Sequence, residues 1–163
     1  MREYKPRSVE PRVIFLSRWY DKWPADQEFG YAYHEWATTA ILPFPVKASS
    51  VEARDTYEEV IRLFDPHLLH LGPTYYGDKW ISYDFLRRFK EYNPTRKIVA
   101  TFSETYLTGM MHVFVDLVPI VDVLYVRNMS VLRELQELTG CTNIKFVPEG
   151  CLLYTSPSPR DRS

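Results

Sequence analysis

The chain is poor in the residues that mark metal sites, disulfide frameworks and nucleotide loops. It has two cysteines, and one of them, Cys151, lies in a terminal run set aside below. Cys141 alone supports neither a disulfide framework nor a zinc constellation. Glycine is scarce, with six residues, and only Gly30 follows the first apolar run. A GxGxxG dinucleotide fingerprint is therefore absent. No GxxxxGKS or GxxxxGKT run exists, which removes the P-loop, and no GxSxG elbow exists, which removes the common α/β-hydrolase signature. No apolar run is long enough to span a bilayer, and no apolar signal region follows the charged start at Met1–Lys5. The default expectation is a soluble cytoplasmic protein, with peripheral membrane contact left open. A formal net charge of −1 offers no electrostatic case for a nucleic-acid partner.

What is present suits a globular domain. Hydrophobic residues make up 45% of the chain, enough for a core, and the 25% charged content argues against disorder. Length predicts one domain. The 15% of aromatics suit either extra buried surface, a sugar-stacking cleft, or a face turned to another domain.

The stretch Pro119–Gly150 organises the reading. Val121–Val126 reads as a strand, residues 130–139 as an amphipathic helix, and Ile144–Val147 as a second strand. Val131, Leu132, Leu135 and Leu138 share one helical face. Ser130 is the expected N-cap and Gly140 the expected C-terminal stop. Strand, crossover helix and strand within about thirty residues is the βαβ unit of a parallel sheet.

The segments upstream repeat that theme. Residues 1–11 form a polar lead-in with Pro6 and Pro11. Arg12–Ser17 is a buried first strand, followed by a long aromatic and acidic loop from Arg18 to Gly30. The spacing of Tyr33, Trp36, Ala37, Ala40 and Ile41 predicts a helix stopped by Pro43. Phe44–Val46 is at most a weak, peripheral strand. Ser49 and Glu52 make a capping-box pattern for a helix carrying Tyr57, Val60, Ile61 and Phe64 inward. That helix ends at Asp65-Pro66. His67–Leu71 reads as a strand, with His67 and His70 on opposite faces and both core or helix-facing. Residues 79–92 read as a helix with Ile81, Phe85, Leu86 and Phe89 inward, stopped at Asn93-Pro94. Lys97–Phe102 is the next strand, and a weaker helical pattern covers 107–117.

Strands alternating with helices predict an α/β fold: an open parallel Rossmann-like sheet with helices on both faces, over residues 12–150. In such sheets, ligands bind beyond the carboxyl ends of the strands. This rule selects Arg18, Trp19, Tyr20, Gly30, Gly72, Tyr75, Ser103, Arg127, Asn128 and Glu149 as candidate substrate-binding residues. Glu104, at the end of a central strand, is the first candidate for catalysis, the alternative being a cap or loop acid. His34 is the second, the alternative being a structural helix-surface histidine. Gly30 serves a close approach either to a phosphate or to a helix start. Trp19, Tyr20 and Trp23 either stack on an acceptor or pack on another domain. A phosphorelay receiver needs an Asp at the end of the third strand, where Leu71-Gly72-Pro73 stands instead. No metal ligands are expected.

Three segments carry a resemblance. Glu58–His70 resembles the helix that runs into the "kPDvvH" strand of GT-B glycosyltransferase N-terminal domains. Lys97–Glu104 is similar to the family's next strand, and Val121–Gly150 to its strand, helix and strand ending in "PnGvD". The fit is best to the branch that includes the spore-maturation CgeB-type proteins. The Gly-rich loop is reduced to Gly30, Ser103-Glu104 replaces His-Asp, and Glu149 replaces Asn. The resemblance implies the acceptor-side half of an enzyme that moves a sugar from a nucleotide-sugar donor to a sugar, lipid or protein acceptor. It implies no cofactor bound by this half; the nucleotide sugar is a co-substrate held by a C-terminal domain of the same chain. The rivals are a sugar-nucleotide epimerase of GT-B topology and a stand-alone flavodoxin-like or receiver-like binding module.

The run from Cys151 to Asp161 resembles the in-frame translation of a transposase-type sequencing adapter; the alternative is a Pro/Ser-rich linker. Residues 151–163 are therefore set apart from the fold. The natural chain is expected to continue past Gly150.

Overall fold

Six strands alternate with helices along the chain: β1 (Arg12–Arg18), β2 (Thr38–Phe44), β3 (Leu68–Leu71), β4 (Lys97–Phe102), β5 (Val123–Val126) and β6 (Ile144–Phe146). The helices are α1 (Val51–Phe64), α2 (Tyr83–Tyr92), α3 (Met111–Leu117) and α4 (Met129–Thr139). The computed structural model describes residues 10–18, 32–44, 51–72, 81–102 and 111–148. The expectations for the lead-in before residue 10, the cap Ser49, residues 45–46, 79–80 and 107–110, and the run 151–163 fall outside them.

All strand pairs are parallel, and the sheet order is β2-β1-β3-β4-β5-β6. This is the open Rossmann-like α/β sheet that the alternation predicts. The chain first steps from β1 to β2, then reverses and winds steadily to β6. Because parallel crossovers are right-handed, the helices after the reversal all pack on one face. Ile14, Leu16, Leu69, Leu71, Ile98 and Ala100 point to that face. They form one core with Ile61 of α1, Leu86 of α2, Phe114 of α3 and Leu135 of α4. The opposite face carries Phe15 and His70, packed by Tyr33 from a helical turn at residues 32–34. Both faces thus carry helix, but unequally. Among the described residues, no helix is long and apolar enough to cross a membrane.

Segment 33–41 is the main correction. Its helical spacing is used for one turn only, and Thr38–Phe44 is strand β2, in register with all of β1. Thr38, Thr39 and Ile41 are β-branched, and such residues favour the pleated backbone over the helix. β2 is an edge strand, which tolerates the missing amide of Pro43. Phe44, the one described residue of the strand expected at 44–46, is the last residue of this longer one.

Two helix starts also differ. α2 begins at Tyr83, because the Ser82 hydroxyl accepts the Phe85 amide at 3.1 Å. Glu58 of α1, itself buried, accepts both the Ser82 amide at 3.0 Å and the Ser82 hydroxyl at 2.7 Å. A carboxylate at a helix N-terminus is favourable, so one acid joins α1 to α2. Ile81 is buried but precedes the helix. α4 is capped by Asn128 rather than Ser130: the Asn128 side chain accepts the Ser130 amide at 2.8 Å, and its carbonyl accepts the Leu132 amide. Gly140 ends α4 in the left-handed region, at φ 67°, as its position predicts.

The amino edge of the sheet is tied by polar groups. Asp65 ends α1 with φ 51°, a conformation that Asp tolerates better than most residues. Its carboxylate pairs with Arg12 at 2.6 Å and with Arg96. His67 is half-buried here rather than in the core, and its Nδ1 accepts the Arg12 amide at 3.0 Å. Asp122 accepts the Ile98 amide at 2.8 Å and pairs with Lys90 and Lys97. Partial burial pulls the Asp122 pKa upward, but that hydrogen bond and the two lysines outweigh it and hold the carboxyl below its ordinary value.

β1 and β3 approach closely where they leave the sheet. The Gly72 amide donates to the Leu16 carbonyl at 2.7 Å, and a Cβ on Gly72 would stand 2.3 Å from that oxygen. Both atoms belong to backbone, so neither can turn aside. Gly72→Ala is expected to cost about 3 kcal/mol, read as a lowered midpoint in urea unfolding; an unchanged midpoint would mean that the strands separate freely here.

Candidate functional site

The winding reverses between β1 and β3, so their carboxyl ends flank the switch point where open parallel sheets bind ligands. Arg18 closes β1 and Gly72 follows β3, which places them side by side. The Arg18 side chain lies outside the described residues. Arg127 and Asn128 follow β5 at the same edge. They stand two strands from β3, about 10 Å away at ordinary strand spacing. Asn128 spends its side-chain oxygen on the α4 cap. Its local role is therefore to fix the turn that carries half-buried Arg127.

His34 sits in the helical turn 32–34 on the less covered face, with its side chain exposed. Trp19, Tyr20, Gly30, Tyr75, Ser103, Glu104 and Glu149 lie outside the described residues. Among the described residues, no group of three or more His, Cys, Asp or Glu side chains comes together as a metal site.

Beneath the switch point lies a polar cluster that the sequence reading did not assemble. His70 is the penultimate residue of β3 and is 3% exposed. Its Nδ1 lies 2.7 Å from the Tyr33 hydroxyl, and its Nε2 lies 2.7 Å from Thr101 Oγ1 on β4. Phe15 of β1 meets the imidazole edge-on at 4.9 Å, and Tyr33 meets Trp36 at 5.5 Å. Three neighbouring strands and the turn after the first loop therefore converge on one ring.

Electrostatics sets what this cluster can do. Burial lowers the His70 pKa to about 3, so the ring is neutral at physiological pH. Burial, and secondarily the nearby Tyr125, raises the Tyr33 pKa to about 12, so the phenol keeps its proton. A neutral imidazole has one donor and one acceptor nitrogen. Tyr33 can donate to Nδ1 while Nε2–H donates to Thr101, or both bonds can reverse together. Both nitrogens are engaged either way, so His70 is no general base in this state. It holds Tyr33, and with it the turn 32–37, against the sheet below the switch point. His70 could be placed in the core from its strand alone. Tyr33 could not be found, because its partner lies 37 residues away and its segment carried a misleading helical period.

No protein-family model, curated protein or solved structure matches the chain.

The neutral state of His70 predicts a pH dependence. Between pH 6.5 and 3 the unfolded histidine takes up a proton that the folded one refuses. Stability therefore rises with pH across that window, by about 1.4 kcal/mol per unit from this group. His70→Gln keeps a donor and an acceptor but cannot titrate. Urea unfolding at pH 6, 5 and 4 should show a slope smaller by about that amount in the variant. Identical slopes would mean that His70 is protonated in the fold.

Proposed function

We propose that this chain is the acceptor-side, N-terminal domain of a GT-B glycosyltransferase, acting with a nucleotide-sugar-binding domain encoded beyond Gly150. One observation carries the reading: the three segments that resemble this family coincide with successive units of a single sheet. Glu58–His70 spans the second half of α1 and most of β3, Lys97–Glu104 contains β4, and Val121–Gly150 contains β5, α4 and β6. The winding from β3 to β6 never changes direction, so the carboxyl ends of these strands line one edge.

In this reading, the acceptor lies along that edge and the donor diphosphate faces it from the second domain. Glu104, two residues beyond the end of β4, is the general base that takes the acceptor hydroxyl proton. The freed oxygen bonds to the anomeric carbon. The bond from that carbon to the diphosphate breaks, and the nucleoside diphosphate leaves with the electron pair. Arg127 supplies positive charge for that leaving group, and Trp19 and Tyr20 offer rings on which a sugar or lipid acceptor stacks. His34, the other candidate base, sits in the turn that Tyr33 anchors through His70.

A second reading has its own support. The first five strands follow the flavodoxin-like order 2-1-3-4-5, which suits a binding module without catalysis. The sixth parallel strand extends beyond that order and favours the transferase.

Sequencing the source gene across the Gly150 codon separates the two readings. The transferase reading expects roughly 150–200 further residues of alternating strands and helices, the size of a normal second domain. The full-length protein should then release nucleoside diphosphate from one member of a nucleotide-sugar panel when given an acceptor extract. Glu104→Gln should lower that kcat by about 10²–10⁴-fold without changing the thermal melt. A frame that closes within a few codons of Gly150, or a full-length protein inert to every nucleotide sugar, leaves the binding module.

A further inference from the structure

A second concave surface lies at the opposite end of the molecule. Helices in this sheet run antiparallel to the strands, and the last turn of α1 lies beside the start of α2, which runs on toward the amino edge, away from the switch point. Between them is a groove of about 380 Å³, a volume within the usual range for small-ligand sites. Its floor is the buried pair Phe85 and Phe89. Its rim is Arg62, Arg88, Arg96 and Tyr92, and among the described residues no acidic one lines it.

The arginines differ in how far they are committed. The Arg62 guanidinium lies over the Phe85 ring at 5.4 Å and pairs with Glu58 and Glu59 along α1. The Arg96 guanidinium lies over the Phe89 ring at 4.9 Å and pairs with Asp65. Stacking and pairing hold these two in place. Arg88 is exposed and, unlike them, has no carboxylate partner among the described residues. Tyr92, one turn further along α2, is 80% exposed. Phe85, Arg88, Phe89 and Tyr92 stand at i, i+3, i+4 and i+7, so a single helical face carries apolar ring, exposed cation and open ring in succession.

We propose that this groove binds an amphiphilic anion: one carboxylate or phosphate on Arg88, attached to an aromatic ring or a short apolar chain that lies on the open ring of Tyr92, beside the arginine-capped rings of Phe85 and Phe89. Arg62 pairs with Glu58 and Glu59, and Arg96 shares Asp65 with Arg12; Arg88, with no carboxylate beside it among the described residues, is the centre for a single anionic group. Two parallel N–H donors on Arg88 suit a planar carboxylate or a phosphate. The apolar floor distinguishes such a ligand from a simple inorganic ion. The site is remote from the switch point and does not rest on the transferase reading.

The test is an amide NMR titration of the 163-residue chain with phenyl phosphate, benzoate, inorganic phosphate and benzyl alcohol. Phenyl phosphate or benzoate should shift amides of α1 and α2, with a Kd of about 1 mM or tighter. Inorganic phosphate and benzyl alcohol should each bind at least about tenfold more weakly, since each lacks one of the two contacts. The relative affinities of phenyl phosphate and benzoate identify which anionic group the site prefers. Arg88→Gln and Tyr92→Ala both change exposed side chains, so the fold should persist, as thermal melts would verify. Each should weaken the aromatic anions at least about fivefold. Equal binding of inorganic and phenyl phosphate, unchanged affinity in Arg88→Gln, or no shifts in α1 and α2 would each overturn the proposal.

Discussion

A parallel strand pair cannot be closed by a tight turn; it needs a crossover, and in proteins that crossover has one hand. Most of this molecule follows from that constraint. After β2 every crossover runs in the same direction, so α1 to α4 are forced onto one face and bury the alternate residues of all the central strands there. Only the first crossover, from β1 to β2, runs the other way. Among the described residues, its turn carrying Tyr33 is what packs on the opposite face. The place where the direction changes is also where the chain leaves β1 and β3 toward opposite faces of the sheet, so a switch point of the kind that binds ligands in open parallel sheets is a by-product of the winding.

The two ends of the strands are built differently. At the amino edge, charged groups and backbone are cross-linked: Asp65 joins Arg12 and Arg96, His67 bonds the start of β1, and Asp122 holds the start of β4. These contacts set the relative positions of β1, β3 and β4 before the strands enter the core. At the carboxyl edge, the described polar groups spend themselves locally, as Asn128 does in capping α4. Loops that leave such an edge can vary in sequence without disturbing the sheet, which is why function concentrates there.

Buried polar groups specify the packing that apolar burial alone would leave loose. Glu58 is fixed by the amide and hydroxyl of Ser82, and this sets the distance between α1 and α2. His70 is satisfied as a neutral ring between Tyr33 and Thr101. Loss of either partner would leave a desolvated nitrogen unmatched, which costs more than the bond itself contributes. The His70 cluster therefore pins a turn that has little apolar surface of its own to hold it.

Much of the architecture was legible in the chain. Short apolar runs at 12–17, 67–71, 97–102, 121–126 and 144–147, separated by amphipathic spacing and by stops at Asp65-Pro66, Asn93-Pro94 and Gly140, set the class of fold and most of its elements. These signals are local, so they survive without knowledge of neighbours. Segment 33–41 was not legible, because its spacing fits a helix while its β-branched residues fit a strand, and only an open edge beside β1 decides between them. Ser82 and Asn128 were missed as caps for a similar reason: each start depends on where a neighbouring strand or helix leaves the chain. The aromatic-floored groove at the amino edge was equally invisible, since Arg62 and Arg96 belong to separate elements. Outside segment 33–44, the sequence by itself determined which stretches become strand or helix, and that the strands run parallel. The tertiary structure decided which strand sits at the edge, which face the helices share and which distant polar groups meet. Those outcomes depend on contacts between residues far apart in the chain, and local periodicity carries no information about them.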